Sequence, residues 1–167
     1  FHSKLGYVSH YRKIVRMPFG EYIPGENLWP GAYKYLPVNH FGKGTEHTLL
    51  VHPNKEGPVF VPLICYEILK ESLVNAFIKE AKLKHPERPI VLVNPSNDSW
   101  YGESSEPFQH SLLARWESAR LALPMLRSTN TGMSQVIAPW GEVLFSGPRN
   151  KGTVIYGELP VKRAVFD

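Results

Sequence analysis

Residues 59–65 read VFVPLIC, an apolar run rich in β-branched side chains. A run of this kind is typical of a strand that is covered on both faces. The next residues, 67–84, carry apolar side chains at helical spacing, namely Ile68, Leu69, Leu73, Ala76, Phe77 and Ala81. The two stretches together predict a buried strand, a sharp turn and a helix.

The same order of elements recurs further along the chain. Residues 89–94 predict a second buried strand, residues 95–107 a loop and residues 108–122 a second helix. Further strands are predicted at residues 13–17, 125–127, 133–138, 143–145 and 153–159. Because strands alternate with helices, the fold class is predicted as α/β with a mixed sheet.

Residues 23–58, called the aromatic loop below, are rich in Gly, Pro, Asn and His and have no helical period. They predict a long loop with at most a short hairpin at residues 46–52. The loop carries Trp29, Tyr33 and Tyr35, and aromatic rings with a polar tip suit a membrane interface. Such side chains can equally fold back as ordinary core, and both alternatives are open from the sequence.

Composition places the chain among globular proteins and excludes several functions. Of 167 residues, 43% are hydrophobic and 20% are charged, which suits one domain with a core. The net charge is +4, and the basic residues are scattered, so no nucleic-acid partner is predicted. A single Cys excludes an internal disulfide framework. No stretch approaches the roughly 20 apolar residues of a membrane span.

The histidines of the aromatic loop do not indicate a metal centre. His40, His47 and His52 lack the spacing of zinc ligands. The segment Gly42-Lys43-Gly44 lacks the preceding strand and following helix of a phosphate-binding loop. The sequence therefore predicts neither a metal nor another cofactor.

Cys65 stands where the predicted strand meets the predicted helix. A sharp turn at this place exposes a side chain at the sheet edge, and a helix start favours a thiolate, so Cys65 is a candidate nucleophile. A cysteine can also simply pack in a core. Glu67, two residues later, could orient a lysine or transfer protons. Lys13 could stabilise an oxyanion, although a lysine at a strand edge is usually solvated.

Four blocks of the sequence resemble, in order and approximate spacing, the nitrilase or carbon–nitrogen hydrolase superfamily. They read YRKIVRMPFGEYIP at 11–24, ICYE at 64–67, SNDSWYG at 96–102 and RSTNTG at 127–132. Within the superfamily they are most similar to the catalytic domain of the bacterial apolipoprotein N-acyltransferases. The resemblance runs from Tyr11 to about Gly141 and implies the C-terminal part of an α-β-β-α sandwich with mixed sheets.

The resemblance also implies a set of site residues. Lys13 corresponds to the lysine and Cys65 to the nucleophile of the superfamily's Glu, Lys and Cys triad, and two further family glutamates correspond to Glu21 and Glu67. Substrate contacts are implied for Tyr66, Trp100, Tyr101 and Trp29. Trp100 and Tyr101 resemble the aromatic wall of an acyl pocket, although they can equally pack under a long loop. Arg120 stands where the family usually has a glutamate, and Glu117 is expected to compensate for that change.

The general-base glutamate of the triad belongs to a segment before the lysine block, and residues 1–11 do not match it. The chain begins with Phe1 and has no leader. We therefore expect residues 1–167 to be one carbon–nitrogen hydrolase domain that is incomplete at its N-terminus, with the base upstream of Phe1.

Three functions are compatible with the resemblance. The first is an acyltransferase that forms a thioester on Cys65, with a phospholipid as acyl donor and a lipoprotein as acceptor. Such an enzyme is expected at the bacterial inner membrane, through segments absent from this chain, with its catalytic domain on the periplasmic side. The second is a soluble, cytoplasmic carbon–nitrogen hydrolase that uses the same triad. The third is a non-catalytic remnant of the fold.

Overall fold

A single six-stranded sheet forms the centre of the structure. The computed structural model describes residues 9–35 and 40–161. The strands are β1 (Leu50–Val51), β2 (Val59–Pro62), β3 (Ile90–Ser96), β4 (Met125–Thr129), β5 (Gln135–Ile137) and β6 (Val143–Ser146). The helices are α1 (Glu71–Lys84) and α2 (Glu106–Leu121). Short 3-10 helices occupy Pro30–Lys34, Cys65–Leu69 and Asp98–Tyr101.

The strands lie in sequence order across the sheet. The central strands β2, β3 and β4 are parallel, whereas β1, β5 and β6 join antiparallel. Parallel neighbours need a crossover connection, which α1 supplies between β2 and β3 and α2 supplies between β3 and β4. The predicted α/β class with a mixed sheet is confirmed.

The core lies between this sheet and the helices. One row of paired residues crosses four strands, and each member is fully buried: Val61, Leu92, Met125 and Ile137. Helix α1 packs five buried side chains into the same cluster: Leu73, Val74, Phe77, Ile78 and Ala81. Because this core holds the strand ends rigidly, the turns after β2 and β3 are fixed in place.

The predicted helix over residues 67–84 is divided in the structure. A 3-10 turn spans Cys65–Leu69, and α1 begins only at Glu71. Lys70 separates them with φ −95° and ψ 84°, which are not helical angles. The break lets the chain turn sharply after β2 and still place the apolar stripe of α1 on the sheet.

Two of the predicted strands are wrong within the described residues. Residues 13–17 join no strand of the sheet, because Ile14 and Val15 donate their backbone N–H groups to the carboxylate of Glu67. Residues 153–159 form no ladder either. There Gly157 lies so close to the Phe145 ring that a Cβ atom would collide with it, so the segment contacts β6 through a side chain.

The aromatic loop contains one short strand in place of the predicted hairpin. β1 pairs with β2, with Leu50 opposite Phe60, so that the partner of residues 50–51 lies outside residues 46–52. Within the described ranges, none of the helices is both long enough and apolar enough to cross a bilayer.

Candidate active site

Cys65 is the first residue after the turn that leaves β2. It is half-buried, and its backbone has φ +53°. Residues other than Gly adopt this left-handed backbone conformation only at a cost in conformational energy, and such residues cluster at functional sites. The strained turn places Cys65 just beyond the carboxyl end of β2, where the sequence predicts a sharp turn.

Asn94, near the end of β3, holds this turn through hydrogen bonds to its backbone. Its buried side-chain amide donates to the backbone carbonyl of Leu63 at 2.6 Å and to that of Cys65 at 3.2 Å. Both carbonyls would otherwise lack a partner at the point where the strand ends. Asn94 therefore stabilises the backbone conformation that presents Cys65.

Glu67 is fully buried and uses both carboxylate oxygens. Oε1 accepts from the backbone N–H groups of Ile14 at 2.6 Å and Val15 at 2.8 Å. Oε2 accepts from the backbone N–H of Ile64 at 2.8 Å, and the Tyr11 hydroxyl contacts both oxygens at 2.9 Å. This carboxylate therefore joins the segment that carries Lys13 to the turn that carries Cys65.

Tyr11 is held in the same arrangement. Burial and the negative charge of Glu67 raise the pKa of its hydroxyl, so that it stays a neutral donor. Its ring packs edge-on against Phe77 of α1, with centroids 5.6 Å apart. The segment at residues 11–15 is thus attached both to the Glu67 carboxylate and to the core.

Lys13 and Glu21 form an ion pair beside this segment. The ammonium lies 2.8 Å from the Glu21 carboxylate, and the two side chains are 11% and 21% exposed. The backbone N–H of Met17 donates to the same carboxylate at 2.8 Å. A tight turn with Phe19 at φ +59° brings Glu21 back to Lys13. The pair leaves a lysine cation largely shielded from water and fixed in position.

The four aromatic residues expected to contact substrate lie in different surroundings. Tyr66 is half-buried, with the Lys70 ammonium 4.4 Å from its ring centroid. Trp100 and Trp29 are 62% and 59% exposed. The side chain of Tyr101 lies outside the described residues.

Part of the aromatic loop presents large side chains to solvent. Leu28 and Tyr35 are exposed, and the Trp29 ring stacks on Tyr35 with centroids 6.1 Å apart. Tyr33 is half-buried, and its hydroxyl donates to the carboxylate of Glu26. The structure therefore favours the surface alternative for Trp29 and Tyr35 over the core alternative.

A buried polar network under the site has no counterpart in the sequence analysis. Asp98 and Arg127 are both fully enclosed, and their side chains pair at 3.0 Å. Arg127 also donates to Asn94, and Asp98 accepts from Ser96 at 2.7 Å. His110 of α2 places Nδ1 3.4 Å from Asp98. The network connects the Cys65 turn, through Asn94, to β4 and α2.

One sequence signal could have identified this network. Asn94 and Arg127 are polar residues within strands that are otherwise buried, and the carboxyl ends of neighbouring parallel strands meet at one edge of the sheet. Asp98 and Arg127 belong to two of the blocks quoted above, but the resemblance assigned them no role. Their opposite charges in buried segments indicate an ion pair.

Gly132 is packed against this network so closely that a Cβ atom would overlap the Asp98 carboxylate. We expect Gly132→Ala to lower the free energy of unfolding by about 1–3 kcal/mol, because the buried carboxylate has no room to move. Gly152→Ala is the matched control, since nothing lies near that position. Urea denaturation of the two variants measures the difference, and equal midpoints would contradict the close packing.

Asp98 also predicts how stability depends on pH. Burial raises its pKa, but the contacts with His110 and Ser96 and the charge of Arg127 outweigh burial, and the net pKa lies below its usual value. A lowered pKa stabilises the fold above the unfolded value of about 3.9, and this stabilisation disappears as pH falls through the folded value. We expect Asp98→Asn to flatten the loss of thermal stability below about pH 4, whereas Glu103→Gln, an exposed control, leaves it unchanged.

The charge of Arg120 is paired within the structure. Its guanidinium lies 2.7 Å from the buried Glu117 carboxylate, and Glu117 raises the pKa of Arg120. Glu71 at the start of α1 lies 3.4 Å from the same guanidinium. Glu117 thus forms an ion pair with Arg120 itself.

The chain is similar in sequence to known proteins over most of its length. The model of the carbon-nitrogen hydrolase family matches residues 8–165. An apolipoprotein N-acyltransferase of Pseudomonas putida is 31% identical over 151 residues, covering 89% of this chain and 28% of that protein. Proteins of the same name from Photobacterium profundum and Rickettsia typhi are 34% and 33% identical, covering 88% and 91% of this chain. They are matched over 27% and 29% of their own lengths, so the chain spans less than a third of these curated relatives.

Proposed function

Because this chain belongs to the carbon–nitrogen hydrolase family, we propose that it is the catalytic part of an N-acyltransferase. The proposed reaction transfers an acyl chain from a phospholipid to the N-terminal amine of a diacylglyceryl-cysteine lipoprotein. The names of the relatives support this choice within the family. We propose the bacterial inner membrane as its location, with the catalytic domain, residues 1–167, on the periplasmic side.

The observation that carries the proposal is the carboxylate of Glu67. It accepts from the backbone on either side of the proposed site, at Ile14 next to Lys13 and at Ile64 next to Cys65. A buried carboxylate that joins two distant segments in this way positions a cation and a thiol relative to each other. This supports Lys13 and Cys65 as partners in one reaction.

The chemistry runs in two steps. The thiolate of Cys65 attacks the ester carbonyl of the phospholipid, and the ammonium of Lys13 stabilises the resulting oxyanion. The carbon–oxygen bond breaks, and a lysophospholipid leaves after taking up a proton. The lipoprotein amine then attacks the thioester, the carbon–sulfur bond breaks, and the thiolate is restored. We assign both proton transfers to the glutamate expected before the lysine block.

The aromatic side chains are proposed to meet the lipid. Trp29 and Trp100 are exposed indoles, which suit the interface between headgroups and acyl chains. Tyr66, next to Cys65, and Tyr101, in the block at residues 96–102, are proposed to contact the acyl chain. An ordinary hydrolase of small substrates has no need of exposed indoles, and this favours the acyltransferase over the hydrolase.

Labelled phospholipid and a lipopeptide acceptor test the function in the full-length protein. Phosphatidylethanolamine with a labelled acyl chain is mixed with a diacylglyceryl-cysteine peptide that has a free N-terminus, and products are identified by mass spectrometry. We expect acylated peptide and lysophospholipid in equal amounts, and no acylation of the same peptide with an acetylated N-terminus. Labelled free fatty acid as the main product would identify a hydrolase, and no product would favour a non-catalytic remnant.

A further inference from the structure

A cavity opens beside Lys13 and Glu21. Its volume is about 380 Å³, and its charged lining consists of Arg12, Lys13, Arg16, Lys43 and Glu21. Phe41 supplies an apolar wall. We call this cavity the Arg12–Lys43 pocket. Four cations against one carboxylate give it a strong excess of positive charge.

Two of the four cations are already paired. Lys13 lies 2.8 Å from Glu21, and Arg16 lies 3.0 Å from Glu26. Arg12 and Lys43 have no carboxylate partner anywhere in residues 9–35 and 40–161. The pocket therefore retains two positive charges that no described side chain neutralises.

Backbone contacts bring together the two segments that carry these residues. Gly44 donates its N–H to the carbonyl of Lys13 at 2.7 Å, which fixes the segment carrying Lys43 alongside Arg12. A Cβ atom at Gly44 would overlap the carbonyl of Arg12, so the close approach requires glycine there. Main-chain contacts therefore keep the segment that carries Lys43 close to Arg12.

Arg16 is the fixed wall of the pocket. Its guanidinium donates to the carbonyl of Phe41 at 3.0 Å and lies 4.5 Å from the centroid of the Tyr22 ring. With Arg16 and Lys13 immobilised, a ligand meets a prearranged surface, and only Arg12 and Lys43 need to move. Such preorganisation lowers the entropic cost of binding.

The chemistry of the pocket fits a phosphate group. A guanidinium and an ammonium are the side chains that recognise phosphate oxygens, the first through two parallel hydrogen bonds and the second as a compact charge. In a phospholipid the phosphate is separated from the acyl esters only by the glycerol unit. A phosphate in this pocket would therefore lie next to Lys13, where the ester carbonyl must react.

We propose that the Arg12–Lys43 pocket binds the phosphodiester of the acyl donor and so places its ester at Cys65. This proposal rests on the proposed function, because the donor is taken to be a phospholipid. The pocket then discriminates between esters by their phosphate group, a task that Lys13 and Cys65 do not perform.

The test compares two donors in the full-length protein. One is phosphatidylethanolamine, and the other is a p-nitrophenyl ester with the same acyl chain and no phosphate. For Arg12→Gln/Lys43→Gln we expect the apparent KM for phosphatidylethanolamine to rise by roughly 10- to 100-fold, since each lost charge-assisted contact costs about tenfold. The rate of Cys65 acylation by the p-nitrophenyl ester should stay unchanged. Lys79→Gln/Lys82→Gln on α1 removes the same charge from exposed positions and should alter neither donor.

Binding measurements separate the source of the phosphate and the two levels of the proposal. Titration calorimetry with glycerophosphoethanolamine should give binding that the double variant loses, and inorganic phosphate should bind more weakly. Stronger binding of inorganic phosphate would overturn the donor assignment in favour of a free-phosphate site. An equal loss with both esters would also overturn it. Wild-type protein that forms no acyl adduct with either ester would reject the proposed function, and headgroup binding alone would then decide whether the pocket takes a phosphodiester.

Discussion

We expect Cys65→Ser to abolish acyl transfer by the full-length protein, with a loss of about a thousandfold or more. Serine has nearly the same size as cysteine and fits the turn at φ +53° equally well. Its hydroxyl is far harder to ionise than a thiol, so that no effective nucleophile remains at position 65. Product formation from labelled phospholipid measures the loss.

The same experiment examines the intermediate. Wild-type protein with phospholipid alone should carry an acyl adduct on Cys65 that hydroxylamine removes, as a thioester requires. The free energy of unfolding of Cys65→Ser, measured by thermal denaturation, should lie within about 1 kcal/mol of the wild-type value. A loss of activity would then reflect chemistry and not folding. Full acyl transfer by this variant would rule out Cys65 as the nucleophile and, with it, the role assigned to Lys13.

Glu67→Gln is expected to have the second large effect, on both stability and activity. Glutamine keeps the volume but replaces one carboxylate oxygen with an NH₂ group, which would face backbone N–H donors at Ile64 or at Ile14 and Val15. A buried network with one partner reversed loses about 3 kcal/mol, or roughly 6–12 °C in Tm for a domain of this size. Acyl transfer should fall with it, because the Lys13 segment is no longer attached to the Cys65 turn.

Two further variants make this expectation specific. Tyr11→Phe removes one donor to Glu67 and leaves the carboxylate in place, so we expect a loss of only about 1 kcal/mol. Glu87→Gln, at an exposed position, should match wild type in both measurements. Wild-type activity and Tm in Glu67→Gln would show that the carboxylate does not position the site.

The central part of the fold could be predicted from the sequence because its signals are local. The apolar run at residues 59–65 and the helical spacing after it fall within consecutive residues, and β2 and α1 form there. Cys65 follows from the same pattern, since the position between a buried strand and a helix is visible in the sequence. The boundary at Lys70 was missed because the apolar spacing continues across it.

The Lys13 segment shows why the rest could not be predicted. Alternating apolar residues at 13–17 have the period of a strand, and a strand needs a partner ladder. Here a side chain from 53 residues away supplies the acceptor in place of a neighbouring strand. Local periodicity has no access to such a partner, so the strand was predicted where the structure has an irregular segment.

The Arg12–Lys43 pocket and the buried polar network could not be predicted from the sequence for a related reason. Arg12 and Lys43 belong to different stretches, and only the contact of Gly44 with the Lys13 carbonyl brings them together. Asp98 and Arg127 are brought together by the parallel pairing of β3 with β4. In each case the residues are visible in the sequence, but the main-chain contact that makes them neighbours is not.

The bonds from Ile14 and Val15 to Glu67 also determine when the site forms during folding. Closing the long intervening chain costs entropy before any bond to Glu67 can repay it, whereas β2, α1 and β3 make contacts over shorter separations. We therefore expect the sheet to form first and the Lys13 segment to join it in a late step. In the folded protein, the segment that joins last is expected to open first. We expect the amide hydrogens of Ile14 and Val15 to exchange with solvent through a local opening that leaves β2 and β3 protected. We expect such an opening to detach the segment that carries Lys13 from the turn that carries Cys65 while the sheet stays folded.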